Sequence, residues 1–374
     1  MKISCTKENL TQALTLVSGA TGKNINLPIL NNILIKVSEN KTEFITTNLE
    51  LAVIVVVRAK IEEIGSFTVP ARTLTDIVNL LPNENIQFSV KDNELIVTCG
   101  KSSTKIKGTL ADDFPIIPSL PTGKGYLLNA VSLKQGLSDV LSSAAKNDIR
   151  PELSGIFCYF DTNEKRVVLA ATDSYRLAEK KIKLEQGDEE LKIIIPAKSA
   201  QEINHLLNTT SEEGEKEKNA KILVGDNQIV VSFNNAQIIS RLVEGQYPDY
   251  TQIIPKDFNI IITADTEKFI KEMKAAGLFT TTGVNSIALN IKAKTGVVEI
   301  SSVSSQTGEY KSELQTEIKG GDGTIMLNNR YVLDGLNNFN SAELQLKIIN
   351  ADSACVITPK GDESYLYIVM PIRQ

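Results

Sequence analysis

Three helix-sized segments of this 374-residue chain begin with a basic residue and carry a carboxylate four positions later, a pattern suited to holding phosphate. They read Pro70-Ala-Arg72-Thr-Leu-Thr-Asp76, Pro196-Ala-Lys198-Ser-Ala-Gln-Glu202 and Asn328-Asn-Arg330-Tyr-Val-Leu-Asp334. A cation in the first helical turn opposes the macrodipole and costs about 0.3–1 kcal/mol. A base followed by an acid at i+4 is also the weaker orientation of such a pair. The same unfavourable placement in three copies points to an external anion, and the free N–H groups at a helix start add to the attraction for phosphate. The expected contact is with a duplex backbone, without sequence preference.

Other chemistry is thin. Asp173 and Asp249 are the carboxylates a hydrolase would have to use, yet they occur without a nucleophile motif or metal-ligand spacing. His205 is the only histidine and lies among leucines of the second segment, which removes the commonest general base and zinc ligand. Cys5, Cys99, Cys158 and Cys355 show no C-x-x-C spacing and read as reduced, half-buried thiols. No enzyme activity, cofactor or metal is expected.

With 42% apolar and 23% charged residues the chain has enough apolar side chains for substantial cores. No apolar run reaches 18 residues and Met1-Lys-Ile-Ser-Cys-Thr-Lys-Glu8 does not read as a signal peptide, so the expected location is cytoplasmic and a surface adhesin is disfavoured. A net charge of −5 argues against indiscriminate binding of nucleic acid over the whole surface. Any such contact must therefore use a local basic face. The helix-like segments (7 to 23, 70 to 83, 129 to 150, 197 to 209, 265 to 282, 328 to 340) are mildly positive and the rest of the chain is negative.

The elements that must position these residues repeat as well. Each basic helix is preceded by an earlier one with apolar residues at i and i+4: Leu10 with Leu14, Leu133 with Leu137, Phe269 with Met273. Between them run period-two stretches such as Gln87-Phe-Ser-Val-Lys-Asp-Asn-Glu-Leu-Ile-Val-Thr98, with turn residues that mark antiparallel hairpins. Proline-rich joints, Asp113-Phe-Pro115 and Glu244-Gly-Gln-Tyr-Pro-Asp-Tyr250, close the first two units. The expectation is an α+β protein of three repeated domains, 1–122, 123–255 and 256–374, each with two helices packed on roughly eight antiparallel strands.

Several stretches carry a resemblance. Leu27-Pro-Ile-Leu30, Val69-Pro-Ala-Arg72, Asp113-Phe-Pro115, Arg150-Pro-Glu-Leu153-Ser-Gly155, Ala171-Thr-Asp-Ser-Tyr-Arg-Leu-Ala178, Glu244-Gly-Gln-Tyr-Pro-Asp-Tyr250 and Tyr367-Ile-Val-Met-Pro-Ile-Arg373 together resemble the bacterial sliding clamp family over the whole chain. The resemblance implies a non-catalytic processivity factor: a head-to-tail homodimer closed around duplex DNA, helices lining the bore and sheets outside. It implies DNA contacts at Lys23, Asn24, Arg72, Lys134, Lys146, Arg150, Lys198, Lys271, Lys274 and Arg330. It implies a subunit contact between Lys105, Ile106 and Lys107 of one copy and the helix end at Leu278 of the other. It further implies a hydrophobic pocket for a short peptide of the replicative polymerase, clamp loader and repair polymerases, formed by Leu153, Thr172, Ser174, Tyr175, Arg176, Leu177, Pro248, Ile253, Ile368, Val369, Met370 and Pro371. The chain departs from the family pattern at Asn24, where some members are basic, and at Pro151 and Glu152, where some carry aromatics.

Overall fold

The computed structural model describes residues 1–22, 27–118, 122–146, 149–209 and 218–373. Each third of the chain runs strand, helix, five strands, helix, three strands, so the repeat has nine strands rather than about eight. The helices are α1 (Lys7–Ser18), α2 (Ala71–Leu80), α3 (Ala130–Leu141), α4 (Ala197–Thr209), α5 (Thr266–Gly277) and α6 (Asn329–Leu336).

Local sequence accounts for their bounds. In α1 the residues Leu10, Leu14 and Val17 form one buried stripe, and Thr6 caps the start by accepting from the Asn9 N–H at 3.3 Å. Asp265 caps α5 through the Lys268 N–H at 2.9 Å, and Asn328 caps α6 through the N–H groups of Arg330 and Tyr331. Most of the helices are shorter than the apolar patterns suggest. Within these bounds they hold eight basic and seven acidic residues, so the expected positive excess shrinks to one.

Two compact units result, and they divide the middle third of the chain between them. One holds Met1–Lys134, Leu184–Glu189 and Lys198–Leu242; the other holds Gln135–Lys183, Glu190–Ala197 and the chain from Val243 onward. The cause is sheet continuity. In the first unit, five strands of the middle third end at Ala236–Arg241, which pairs antiparallel with Leu51–Val57 at the edge of four strands of the first third. The register runs from Ala236 opposite Val55 to Ser240 opposite Leu51 and makes one nine-stranded sheet.

The second unit uses the same construction. Four strands of the middle third end at Arg176–Lys183, which pairs with Tyr365–Val369 at the edge of five strands of the last third. Two smaller sheets complete the set. The first unit has five strands ending at the edge strand Ser102–Lys107, and the second has four ending at the edge strand Gly308–Gln315. Each unit buries its own aromatic core, with Phe44 stacked on Phe88 at 6.5 Å in the first and Phe339 edge-on to Tyr365 at 5.4 Å in the second. No described helix is long and apolar enough to cross a membrane.

Candidate functional site

The strands Arg166–Thr172 and Arg176–Lys183 of the second unit are joined by the tight turn Asp173-Ser174-Tyr175. Asp173 folds this turn by accepting from the N–H groups of Tyr175 and Arg176, both at 3.0 Å. Ser174 takes a positive φ of 76°, and the Thr172 hydroxyl donates to the Arg176 carbonyl at 2.6 Å. The Tyr175 carbonyl then accepts from the Met370 N–H at 2.8 Å, which sets the end of the C-terminal strand beside the turn. The outcome is an exposed tyrosine next to a half-buried methionine.

Arg176 is the electrostatic centre of the site. Its side chain is 5% exposed, its Nε donates to Asp173 at 3.0 Å and its Nη1 donates to Asp334 of α6. The guanidinium also lies 4.5 Å from the centre of the Tyr331 ring, and Tyr331 stacks on Tyr175 at 6.5 Å. Burial works against the charge, but Tyr367, Asp334 and Asp173 outweigh it and hold the pKa above the ordinary arginine value.

The twelve residues expected to line a pocket separate into floor and rim. Leu153, Thr172, Arg176, Leu177, Ile368 and Val369 are each under 9% exposed and form floor and scaffold. Leu153, Leu177 and Ile368 share one apolar cluster with Tyr247, Tyr250 and Val356, and Met370 packs against it. Ser174, Tyr175, Pro248 and Ile253 are exposed, with Met370 and Pro371 half-buried. Ile254, not Ile253, packs on the cluster, because the short helix Tyr250–Ile253 turns Ile253 outward. Thr172 and Arg176 spend their polar groups inside the protein rather than on the cleft surface.

Sequence reasoning missed Tyr331, Tyr247 and Asp334 as parts of this site. Tyr331 follows the repeated Arg330, and an aromatic there was the available signal. Asp334 was read only as the acid of its own helix.

Arg72, Lys198 and Arg330 each occupy the second position of a helix and end in exposed side chains. Their i+4 acids behave differently. Asp76 approaches Arg72 at 3.7 Å in an exposed pair of small energetic value. Glu202 lies against the backbone of Gly19 at the end of α1, and burial pushes its carboxyl up while His205 and Lys198 oppose. Asp334 goes to Arg176. Lys146, Arg150, Lys271 and Lys274 are exposed, while Lys134 is half-buried and donates to Asn208 at 2.7 Å. Lys23 and Asn24 lie outside the described residues.

At the expected subunit contact Lys105 and Lys107 are exposed on the edge strand, whereas Ile106 is 4% exposed and already belongs to the core of its own sheet. Leu278 is 72% exposed, and so is a residue not foreseen, Leu80 at the end of α2, at 83%. Among the described residues no group of three or more His, Cys, Asp or Glu stands close enough to hold a metal ion.

Three family models match the chain in succession: the N-terminal domain of the DNA polymerase III beta subunit over residues 1–118, its central domain over 127–249 and its C-terminal domain over 251–373. The chain is 29% identical to the beta sliding clamp of Staphylococcus aureus over 359 residues, covering 93% of this chain and 92% of that one. Among solved structures, the DNA polymerase III beta subunit of Thermotoga maritima superposes with a TM-score of 0.92 at 26% identity, covering 100% of this chain and 99% of that chain. The DNA polymerase sliding clamp of Bacillus subtilis gives the same four values.

Proposed function

The chain belongs to the DNA polymerase III beta subunit family, the bacterial sliding clamps, and from that premise we propose that two copies close head to tail around duplex DNA and tether partners through the cleft beside Tyr175 and Met370. It is a non-catalytic processivity factor of DNA replication. The partners are the replicative polymerase, the clamp loader and repair polymerases, each entering by a short peptide. In this reading the domains are 1–122, 123–255 and 256–374, and the protein works in the cytoplasm on the nucleoid.

One observation carries the ring. Twice within the chain a five-stranded sheet edge joins a four-stranded edge, and one edge of each kind, Ser102–Lys107 and Gly308–Gln315, is left without a neighbour among the described strands. A heterologous contact that uses the same join between copies satisfies both edges, and two copies close the cycle. The charges agree at one pair: carrying the register of the second internal join over to these edges sets Lys105 opposite Glu309. The internal join sets Glu202 of α4 against Gly19, the residue after α1. In the repeat Gly19 corresponds to Leu278 and Glu202 to Asp76, so the intersubunit join brings Leu278 of one copy onto α2 of the other, beside exposed Leu80.

Arg72, Lys198 and Arg330, with Lys134, Lys146, Arg150, Lys271 and Lys274, then meet phosphates from the bore, and Lys23 and Asn24 extend that set. In the cleft, Tyr175, Pro248, Ile253, Met370 and Pro371 offer apolar surface over a floor of Leu153, Leu177 and Ile368. The decisive experiment loads the protein with a clamp loader onto closed circular DNA and then linearises it. Retention on the circle and loss from the linear form are expected; equal retention on both refutes the topological reading.

A further inference from the structure

The first and last thirds of the chain can be superposed residue by residue from strand register alone. Thr6 pairs with Asn85 before α1, and Asp265 pairs with Glu343 before α5, so Lys7 and Thr266 are equivalent first residues of their helices. Their backbones agree: the Lys7 N–H donates to the Glu84 carbonyl at 3.2 Å, and the Thr266 N–H to the Ala342 carbonyl at 2.9 Å. At the ends of the partner helices, Leu81 donates to the Val78 carbonyl and Phe339 to the Leu336 carbonyl, which makes Asn79 and Leu81 equivalent to Asn337 and Phe339.

The side chains do not agree. Lys7 reaches the end of α2, where its ammonium donates to the carbonyls of Asn79, at 2.9 Å, and Leu81. Those carbonyls carry the negative end of the helix dipole, which suits a cation. In the last third the lysine is replaced by threonine, too short to reach. A cleft of about 500 Å³ stands there, lined by Asp265, Thr266, Glu267, Ile270, Phe339 and Ala342 among others. Thr266 is 3% exposed and its hydroxyl oxygen has no hydrogen-bond partner among the described residues. A buried hydroxyl without a partner costs roughly 1–3 kcal/mol.

We propose that this cleft between the start of α5 and the end of α6 binds a primary alkylammonium group, which takes the place that the Lys7 side chain fills in the first third. The ammonium supplies three N–H donors. Two meet the Asn337 and Phe339 carbonyls, as Lys7 meets Asn79 and Leu81, and the third meets the Thr266 hydroxyl. Two carboxylates line the cleft, Asp265 where the first third has Thr6 and Glu267 where it has Glu8, while Lys268, which replaces Asn9, is not part of the lining. Ile270 and Phe339 give apolar wall for the methylenes of an alkyl chain. Such a group can arrive on a free diamine or on a lysine side chain of a partner protein.

The test is methyl NMR of Ile270 and Ala342 in the intact protein, titrated with putrescine, with Nα-acetyl-lysine methylamide, and with tetramethylammonium, which has no N–H. Saturable shifts with either or both amines and none with tetramethylammonium are expected. Tighter binding of putrescine identifies a free diamine as the natural occupant, and tighter binding of the lysine amide identifies a side chain. Thr266→Lys supplies the ammonium from the chain itself and is expected to abolish the shifts; Thr266→Val keeps the shape and is expected to weaken binding at least threefold. No saturation with either amine overturns the proposal, as does equal response to tetramethylammonium. Shifts that persist unchanged in a folded Thr266→Lys protein, or in Thr266→Val should the lysine variant not fold, overturn it too.

Discussion

Arg176 and Asp334 are joined across 158 positions of sequence: the acid of the third repeated helix holds the guanidinium behind the Tyr175 turn and leaves Arg330, its own i−4 neighbour, to solvent. Arg176 is 5% exposed and Asp334 42%, so the pair is half sheltered. Removing the Asp334 charge leaves a buried cation with Asp173 as its remaining carboxylate. Asp334→Asn should therefore loosen the turn and the Tyr331 stack, and weaken binding of a clamp-binding peptide roughly 5- to 30-fold, about 1–2 kcal/mol. Fluorescence anisotropy with a labelled peptide reads this, and unchanged affinity shows that the cleft does not depend on the pair.

Met370 is best tested by substitution. The Ile372 N–H donates to the Met326 carbonyl at 2.8 Å, so truncation from Met370 onward also unfastens the tail from another strand. Met370→Ala keeps that tie and removes apolar surface at the edge of the Leu153 and Ile368 cluster. A loss of about 1–2 kcal/mol in peptide binding with no change of oligomer mass is expected. Calorimetric titration checks the first and light scattering the second.

The proposed subunit join makes Leu80 and Leu278 partners. Leu80→Asp with Leu278→Asp puts two carboxylates where each copy should bury a leucine, and sedimentation should then show the 40.9 kDa monomer in place of twice that mass. Ser103→Pro is an independent probe, because a proline on the edge strand Ser102–Lys107 removes a donor from the proposed intersubunit ladder. A double leucine variant that stays dimeric removes the assigned interface.

Much of the fold could be read in advance, because spacing and periodicity are local properties. Arg72, Lys198 and Arg330 do fall at the second position of their helices, and the period-two runs do form antiparallel sheets. What the sequence concealed is long-range. Nothing in Ala236-Gln-Ile-Ile-Ser-Arg241 names Leu51–Val57 as its partner: the apolar run of Leu51–Val57 signals burial, but which strand covers it is set by a pairing far apart in sequence that leaves no local period. The same limit hid Asp334: an acid at i+4 reads as a helix pair until a buried guanidinium from another strand claims it. Resemblance names the residues of the proposed cleft but cannot separate floor from rim, which depends on which side of the strand faces the Tyr247 and Tyr250 cluster.

The three repeated basic residues should act through phosphate alone. Replacing Arg72, Lys198 and Arg330 together by Gln should lower the slope of log affinity against log salt by roughly 0.9 for each phosphate that is no longer neutralised. Affinity should fall equally for DNA of any sequence. The measurement is binding of the protein to duplex DNA over a salt series, and an unchanged slope would place these side chains away from the duplex.

Asp139 gives a pH dependence whose sign follows from its surroundings. Its side chain is almost fully buried, and burial raises the carboxyl from 3.8 to about 6, opposed by the Gln135 hydrogen bond at 2.7 Å and by Lys180 at 3.7 Å. Lys180 is shared with Asp362 at 3.6 Å and Ser364 at 2.8 Å, so its charge is only partly available to Asp139. The folded state thus holds this proton more tightly than the unfolded chain does. Stability from this group is greatest below pH 4, falls as pH rises from about 4 to 6, and stays low above 6, a change on the order of 1–3 kcal/mol. Asp139→Asn keeps an acceptor for Gln135 without the charge. Urea unfolding of the variant should show a flatter pH profile between 4 and 6 and higher stability at pH 7.5 than the parent protein; an unaltered profile would assign the slope to other carboxylates.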